Sequence, residues 1–107
     1  MPQVQKIACT NNAGFDMYFS ILWEDENGVI QDTDWKSDTY PIDQTRVSPD
    51  LATIGISPDA RSLTPHVHAI FGKRESGTTV VTYAENDQTA TYEVKGTTQR
   101  YSVNLIE

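Results

Sequence analysis

The clearest pattern in the chain is an alternation of large apolar side chains with smaller or more polar ones over residues 15–23. Apolar groups occupy every second position there: Phe15, Met17, Phe19, Ile21 and Trp23. Successive side chains of a β-strand point to opposite faces of a sheet, so these five groups share one face. The segment is therefore predicted to be a central strand of an antiparallel sheet that is buried on one side.

Strand-like segments separated by turn residues account for almost the whole sequence. The predicted strands cover residues 3–10, 15–24, 29–35, 40–47, 63–72, 78–84, 89–94 and 99–106. The connection at residues 25–28 ends in Asn27-Gly28, a hairpin signal, because both residues enter positive φ at low cost. A single helical turn at residues 4–9 or 57–62 would be compatible with this pattern.

The fold class that follows is all-β. We predict that residues 1–107 form a single domain, an antiparallel β-sandwich of about eight short strands in two packed sheets. At 107 residues, the chain is long enough for one hydrophobic core and too short for two.

Charge and composition exclude some classes of partner. The chain has 8 Lys and Arg against 15 Asp and Glu, a net charge of −7, and no basic stripe, which argues against nucleic acid. The single cysteine, Cys9, cannot form an intrachain disulfide and is expected to be a small core residue. No signal peptide or membrane span is recognisable, so the chain is expected to be cytoplasmic or secreted by a non-classical route.

The only two histidines, His66 and His68, are two positions apart in a predicted strand, so both imidazoles leave the same face. Such a pair can hold part of a Zn²⁺ or Cu²⁺ site, but a site needs a third or fourth ligand and the neighbouring residues supply none. The favoured alternative is a pair of surface or ligand-facing histidines, with Val67, Ala69 and Phe71 forming the apolar face. No metal and no cofactor are predicted.

No catalytic constellation stands out. The sequence lacks a Gly-x-Ser-x-Gly elbow, a His-Glu-x-x-His pair, a Gly-rich phosphate loop and a Cys-x-x-Cys pair. The acidic group around residues 24–26, with Asp32 and Asp34 nearby, lacks EF-hand spacing and is interpreted as a solvated hairpin tip rather than a calcium site.

Two aromatic residues beside predicted loops are candidates for stacking on a ligand. Trp35 lies between Asp34 and Lys36, where its ring could stack on a sugar or sit at a membrane interface, or could pack under a hairpin. Tyr40 begins the predicted strand at residues 40–47. Pro41 places this part of the strand near a sheet edge.

Several landmarks together resemble the C-terminal β-sandwich domain of the cholesterol-dependent cytolysins. They are Ala13-Gly14-Phe15, Trp23-Glu24-Asp25, Trp35-Lys36-Ser37, Tyr40-Pro41-Ile42 and Gly96-Thr97-Thr98. The resemblance spans nearly the whole chain in landmark order. It implies two four-stranded antiparallel sheets whose loops at one end touch a membrane or a surface ligand.

The chain also departs from that family's pattern. The Trp-rich loop is missing, since residues 63–71 contain no Trp, and the cholesterol-recognising Thr-Leu pair falls on Thr98-Gln99. Loss of the Leu removes an apolar tip worth about 2 kcal/mol when buried. The resemblance therefore implies neither sterol recognition nor, without the pore-forming segments, a pore made by this chain alone.

The sequence favours a non-enzymatic recognition module that binds a surface ligand, with a glycan favoured because the expected tips are polar. The candidate ligand-binding residues are Trp35, Tyr40, His66, His68, Thr97, Thr98, Gln99 and Arg100. Weak binding per site would favour a homo-oligomer that gains avidity. The alternatives are a membrane-associating toxin component acting with a partner, a small hydrolase built from dispersed Asp and His residues, and a structural subunit.

Overall fold

The computed structural model describes residues 1–107 and contains ten β-strands and one short helical turn. The strands are β1 (Gln3–Val4), β2 (Lys6–Asn11), β3 (Met17–Glu24), β4 (Ile30–Asp32), β5 (Gln44–Val47), β6 (Ser62–Ala69), β7 (Arg74–Ser76), β8 (Thr82–Tyr83), β9 (Thr89–Thr97) and β10 (Arg100–Leu105). The helical turn is a 3-10 helix at Leu51–Thr53. No helix has the length and apolar character required to cross a bilayer.

Eight of the strands form two four-stranded sheets. One sheet has the order β10-β9-β2-β5, and the other, here called the histidine sheet, has the order β4-β3-β6-β7. β1 and β8 form a separate two-stranded ribbon. The predicted fold class, an all-β sandwich, is confirmed.

The core lies between the two four-stranded sheets and is made by the alternation seen in the sequence. Met17, Phe19 and Ile21 of β3 are fully buried, and Phe15 and half-buried Trp23 extend the same face. Twenty buried residues, drawn from both sheets, from β1 and from the connecting segments, form one cluster. Cys9 belongs to this cluster, and its burial raises the pKa of the thiol, so it is a core residue as predicted.

Two strand pairings are parallel. β2 pairs with β9 from Lys6↔Thr89 to Asn11↔Val94, and β1 pairs with β8 in the same sense. All other pairings are antiparallel. Alternation specifies which residues share a face but carries no information about strand direction, so these parallel pairs were not predictable from it.

Several strand boundaries differ from those predicted. β7 lies in what was expected to be a loop, because its side chains are largely exposed and leave no apolar alternation in the sequence. The predicted strand at residues 40–47 is reduced to β5, with only an isolated bridge between Tyr40 and Met17. The helical turn occurs at Leu51–Thr53, where the Asp50 side chain accepts a hydrogen bond from the backbone N–H of Ala52 at 3.0 Å.

The hairpin between β3 and β4 lies where it was predicted, but of Asn27 and Gly28 only Gly28 adopts a positive φ, of 81°. The N–H of Gly28 donates to the carbonyl of Asp25 at 3.0 Å. The Asp25 carboxylate accepts from the N–H groups of Asn27 and Val29, both at 2.9 Å. These bonds to the carboxylate lower the pKa of Asp25. Asp25 therefore stabilises the turn of its own hairpin.

The connection from β2 to β3 depends on one buried amide. The side-chain N–H₂ of Asn11 donates to the carbonyls of Phe15 at 2.8 Å and Tyr40 at 3.2 Å, and its oxygen accepts from the N–H of Ala13 at 3.0 Å. Asn11 thereby joins the two sheets where β3 begins.

Replacing Asn11 with alanine should lower the free energy of unfolding by about 3 kcal/mol, because three hydrogen bonds are lost at about 1 kcal/mol each. The Phe15 carbonyl and the Ala13 N–H lose the Asn11 side chain as a partner, whereas the Tyr40 carbonyl still accepts from the Met17 N–H. Asn12→Ala is the matched control, since the Asn12 amide bonds only the exposed carboxylate of Glu93. Urea denaturation followed by Trp fluorescence measures both variants. Equal destabilisation of the two would contradict the role assigned to Asn11.

Candidate functional site

Three loops meet at one end of the sandwich. The N–H of Gly14 donates to the carbonyl of Gly96 at 3.1 Å, the N–H of Lys73 to that of Thr98 at 3.3 Å, and the N–H of Ile70 to that of Asp16 at 2.9 Å. Backbone bonds therefore hold residues 12–16, 70–73 and 97–100 together. We call these three segments the loop end.

Phe71 is the most exposed large apolar side chain of the chain, at 97% exposure, and it lies in the loop end. Its backbone has a φ of 60°, a region that a bulky residue adopts only at a cost of about 1 kcal/mol or more. The neighbouring Gly72 has no room for a side chain, because a Cβ there would lie 2.8 Å from the carbonyl of Thr98. Close packing against the β9–β10 hairpin thus forces a tight turn that drives Phe71 outward.

This position of Phe71 corrects a prediction. We expected Phe71 to extend the apolar face of Val67 and Ala69, but β6 ends at Ala69 and the chain turns there. The N–H of Gly72 donates back to the carbonyl of Ala69 at 3.1 Å, so the alternation stops before Phe71. The loop end is therefore not purely polar, as the sequence interpretation assumed.

Basic residues are concentrated at or next to the loop end. Half of the eight Lys and Arg residues lie there, namely Lys73, Arg74, Lys95 and Arg100. The acidic residues in the same region are Asp16, Glu75 and Glu93, and the last two lie within 3.5 Å of Lys73 and Lys95. An acidic protein thus carries a small excess of positive charge at the end that exposes this aromatic side chain.

The structure places four of the predicted site residues together at this end. Thr97, Gln99 and Arg100 are exposed and Thr98 is half buried in the β9–β10 hairpin. Gly96 has a φ of 131°, and a side chain there would collide with Arg100 and Tyr101, so the hairpin requires glycine at this position. The hairpin is fastened by the Tyr101 hydroxyl, which donates to the carbonyl of Lys73 at 2.6 Å.

Tyr40 and Trp35 lie elsewhere and are mainly packing residues. Tyr40 is 1% exposed and its hydroxyl donates to the carbonyl of Cys9 at 2.8 Å, so the prediction that it faces a ligand is wrong. The tyrosine satisfies its own polar group inside the core, which composition could not reveal. Trp35 is half buried and packs edge-on against Phe19, with 5.5 Å between the ring centroids, which matches the packing alternative.

His66 and His68 lie on the outer face of the histidine sheet, where His68 pairs with Arg74 next to the loop end. They share that face as predicted, with ring centroids 4.4 Å apart. Asp32 of β4 reaches His66, with its Oδ2 at 3.2 Å from Nδ1. The ring of His68 stacks on the ring of Tyr18, with 4.6 Å between the ring centroids. Sequence reasoning missed Asp32 as a neighbour because only the strand order places β4 and β6 on either side of β3.

Ser20 lies at the centre of this group. It pairs with His66 across the β3–β6 ladder, is 4% exposed, and its hydroxyl has no hydrogen-bond partner. Ser20 lines a surface hollow of about 270 Å³ together with Tyr18, Asp32, Thr33, Asp34, Lys36 and His68. We call Asp32, His66, His68 and Ser20 the histidine cluster.

Burial lowers the pKa of His68 to about 4, with the neighbouring His66 and Arg74 adding to the effect and Asp32 opposing it. The imidazole is therefore neutral at pH 7. A neutral imidazole keeps one nitrogen free to accept a hydrogen bond or to coordinate a cation.

Comparison with solved structures identifies a class of fold. Pneumolysin matches over 95% of this chain with a TM-score of 0.52 and 14% identity, and listeriolysin O over 95% with 0.51 and 14%. A disulfide-locked mutant of intermedilysin with human CD59 matches over 95% with 0.51 and 12%. These neighbours are cholesterol-dependent cytolysins, which confirms the resemblance at the level of the fold. The chain spans less than a quarter of each of these proteins.

Sequence comparison adds no relative. The chain matches no protein-family profile, and no curated protein is detectably similar to it in sequence. The structural likeness therefore shows the fold alone. The roles of individual residues have to be inferred from their own chemistry.

Acidification from pH 7 to pH 4.5 should destabilise the native state in part through His68. Unfolded His68 takes up a proton near its ordinary pKa of 6.5, whereas folded His68 does so only near 4. Its contribution is fully present above about pH 6.5 and is lost as the pH falls toward 4. For a half-exposed group screened by solvent we expect about 1 kcal/mol, roughly 5 °C in Tm.

Thermal melts with EDTA at pH 7 and pH 4.5 test this expectation. His68→Gln should show a smaller loss of Tm than the unchanged protein over this range. Between pH 7 and pH 9, where His68 does not titrate, the two proteins should behave alike. An equal loss in both proteins on acidification would refute the assignment.

Proposed function

We propose that this protein is a non-enzymatic recognition module that docks on a cell surface through the loop end. The observation that carries the proposal is the nearly complete exposure of Phe71 on a left-handed backbone turn held by neighbouring loops. An exposed aromatic ring in a strained conformation is costly for an isolated domain, so a partner that covers the ring is the physical reason for it.

The first candidate for that partner is a lipid membrane. Phe71 can enter the boundary between headgroups and acyl chains, and Arg100 of the same loop end can face anionic headgroups. Lys73 and Lys95 lie at or next to this end and can add to that attraction in spite of their pairs with Glu75 and Glu93. The fold of membrane-active toxins such as pneumolysin and listeriolysin O supports a membrane- or ligand-recognition role. The sequence favoured a glycan over a lipid because the tips were expected to be polar. With Phe71 exposed at the loop end, that reason no longer applies.

A single anchor binds weakly. Burial of one Phe side chain contributes at most about 3 kcal/mol, and each basic residue near an anionic surface contributes about 1 kcal/mol. Stable docking therefore calls for several copies in a homo-oligomer or for a partner chain, either of which raises the effective concentration at the surface.

A glycan is the second candidate partner. The Phe71 ring can stack on the apolar face of a sugar, with the hydroxyl of Thr97 and the amide of Gln99 close by in the same loop end to bond its hydroxyl groups. The same residues serve both candidates, and direct binding measurements separate them.

Phe71→Asn should weaken binding to phosphatidylserine-containing vesicles by roughly tenfold, because the apolar anchor is lost. It should leave Tm unchanged or slightly raised, since asparagine tolerates positive φ better than phenylalanine. Vesicle co-sedimentation and thermal melts measure the two effects. Ile30→Asn is the matched control, because Ile30 is also exposed but pairs with Glu24 at the opposite end of β3.

The membrane candidate predicts a partial loss of binding when NaCl rises from 0.1 M to 1 M, because salt screens the basic residues but spares the apolar anchor. Vesicle binding that is equal in the Phe71 and Ile30 variants would contradict it. Absence of vesicle binding with a positive glycan array would select the second candidate. Absence of both would overturn the proposed function.

A further inference from the structure

The histidine cluster holds three potential metal ligands at close range. One donor atom from each of Asp32, His66 and His68 lies within 4.8 Å of the other two. The separation of 3.2 Å between Asp32 Oδ2 and His66 Nδ1 matches the edge of about 3.3 Å in a tetrahedron with metal–ligand bonds of about 2.0–2.1 Å. For an ion to bind, the other two donor–donor separations would have to shorten by at most about 1.5 Å, which side-chain rotation can supply.

The β3 strand leaves room for this geometry. Asp32 and His66 belong to strands on either side of β3, so their side chains meet above it. The β3 residue opposite His66 is Ser20, whose small side chain lets them approach. A larger residue at that position would fill the space between the three donors.

The Ser20 hydroxyl is an independent observation that points to a ligand. It is buried without a partner, a situation that costs about 1–3 kcal/mol, and it lines the same hollow as Asp32 and His68. A water molecule bound to a cation in the hollow would satisfy this hydroxyl.

We propose that Asp32, His66 and His68 bind one divalent transition-metal ion, with Zn²⁺ the best fit and water in the fourth position. Two imidazoles and one carboxylate suit Zn²⁺ and disfavour Mg²⁺ and Ca²⁺, which prefer oxygen ligands throughout. Lys36 lines the hollow as well, but Asp34 offsets its charge. The sequence lacked a third ligand for this pair, and the fold supplies it.

This site shares no residue with the loop end and does not rest on the proposed function. The ion would join β4, a short and fully exposed edge strand, to β6 across β3. Binding to the folded state alone would also raise Tm with metal concentration.

Isothermal titration of the tag-free, metal-stripped full chain with Zn²⁺ tests the proposal. We expect one Zn²⁺ per chain, and with Co²⁺ the visible absorption of a four-coordinate ion. Asp32→Asn, His66→Gln and His68→Gln should each weaken Zn²⁺ binding at least about tenfold. Even the loss of a group that only hydrogen-bonds a metal ligand costs that much. Asp34→Asn, which removes a nearby charge but no ligand, should change affinity no more than about twofold.

Ser20→Val provides a variant that keeps its fold. Valine suits a strand and removes the unpartnered hydroxyl, so Tm of the metal-free protein should not fall. The added methyl groups should nevertheless weaken Zn²⁺ binding at least about tenfold by filling the space between the ligands. Metal-free circular dichroism checks the fold of every variant.

Three results would overturn the proposal. The first is no saturable Zn²⁺ binding by the unchanged protein. The second is equal weakening by Asp34→Asn and Asp32→Asn, which would indicate attraction by charge alone. The third is undiminished binding in both histidine variants, which would place the ion elsewhere.

Discussion

The register between β3 and β6 is the constraint on which the rest of this structure depends. Eight consecutive residue pairs, from Met17↔Ala69 to Glu24↔Ser62, hold the two strands antiparallel. Because side chains alternate with a period of two, a slip of β6 by one residue against β3 would turn Val67 to solvent and His66 and His68 into the core. The same register aligns Ser20 with His66 and ends β6 where the chain must turn toward Phe71.

The sequence predicted the features that depend on local alternation. The apolar face of β3, the Asn-Gly hairpin, the core position of Cys9 and the common face of His66 and His68 are all properties of neighbouring residues. β7 escaped prediction because an exposed edge strand needs no apolar pattern, and the parallel β2–β9 pair because its partners lie far apart in the chain.

The candidate sites were less predictable because they depend on contacts between distant segments. Asp32 meets His66 only because β4 and β6 flank β3, and Tyr40 is buried because its hydroxyl finds the carbonyl of Cys9. The hairpin residues 97–100 were predicted from a family resemblance, but the turn that exposes Phe71 follows from the close approach of Gly72 to Thr98. Local sequence patterns do not predict these contacts between distant segments.

The parallel pairing of β2 with β9 has a consequence for how the chain is made. Lys6 leaves the ribosome long before its ladder partner Thr89, so β2 lacks one neighbour until about eighty further residues have been translated. The backbone groups of β2 that pair with β9, from Lys6 to Asn11, stay without these partners during that interval. Contacts between residues so far apart slow folding and favour aggregation of incomplete chains. The nascent chain therefore presents an open strand edge until β9 emerges.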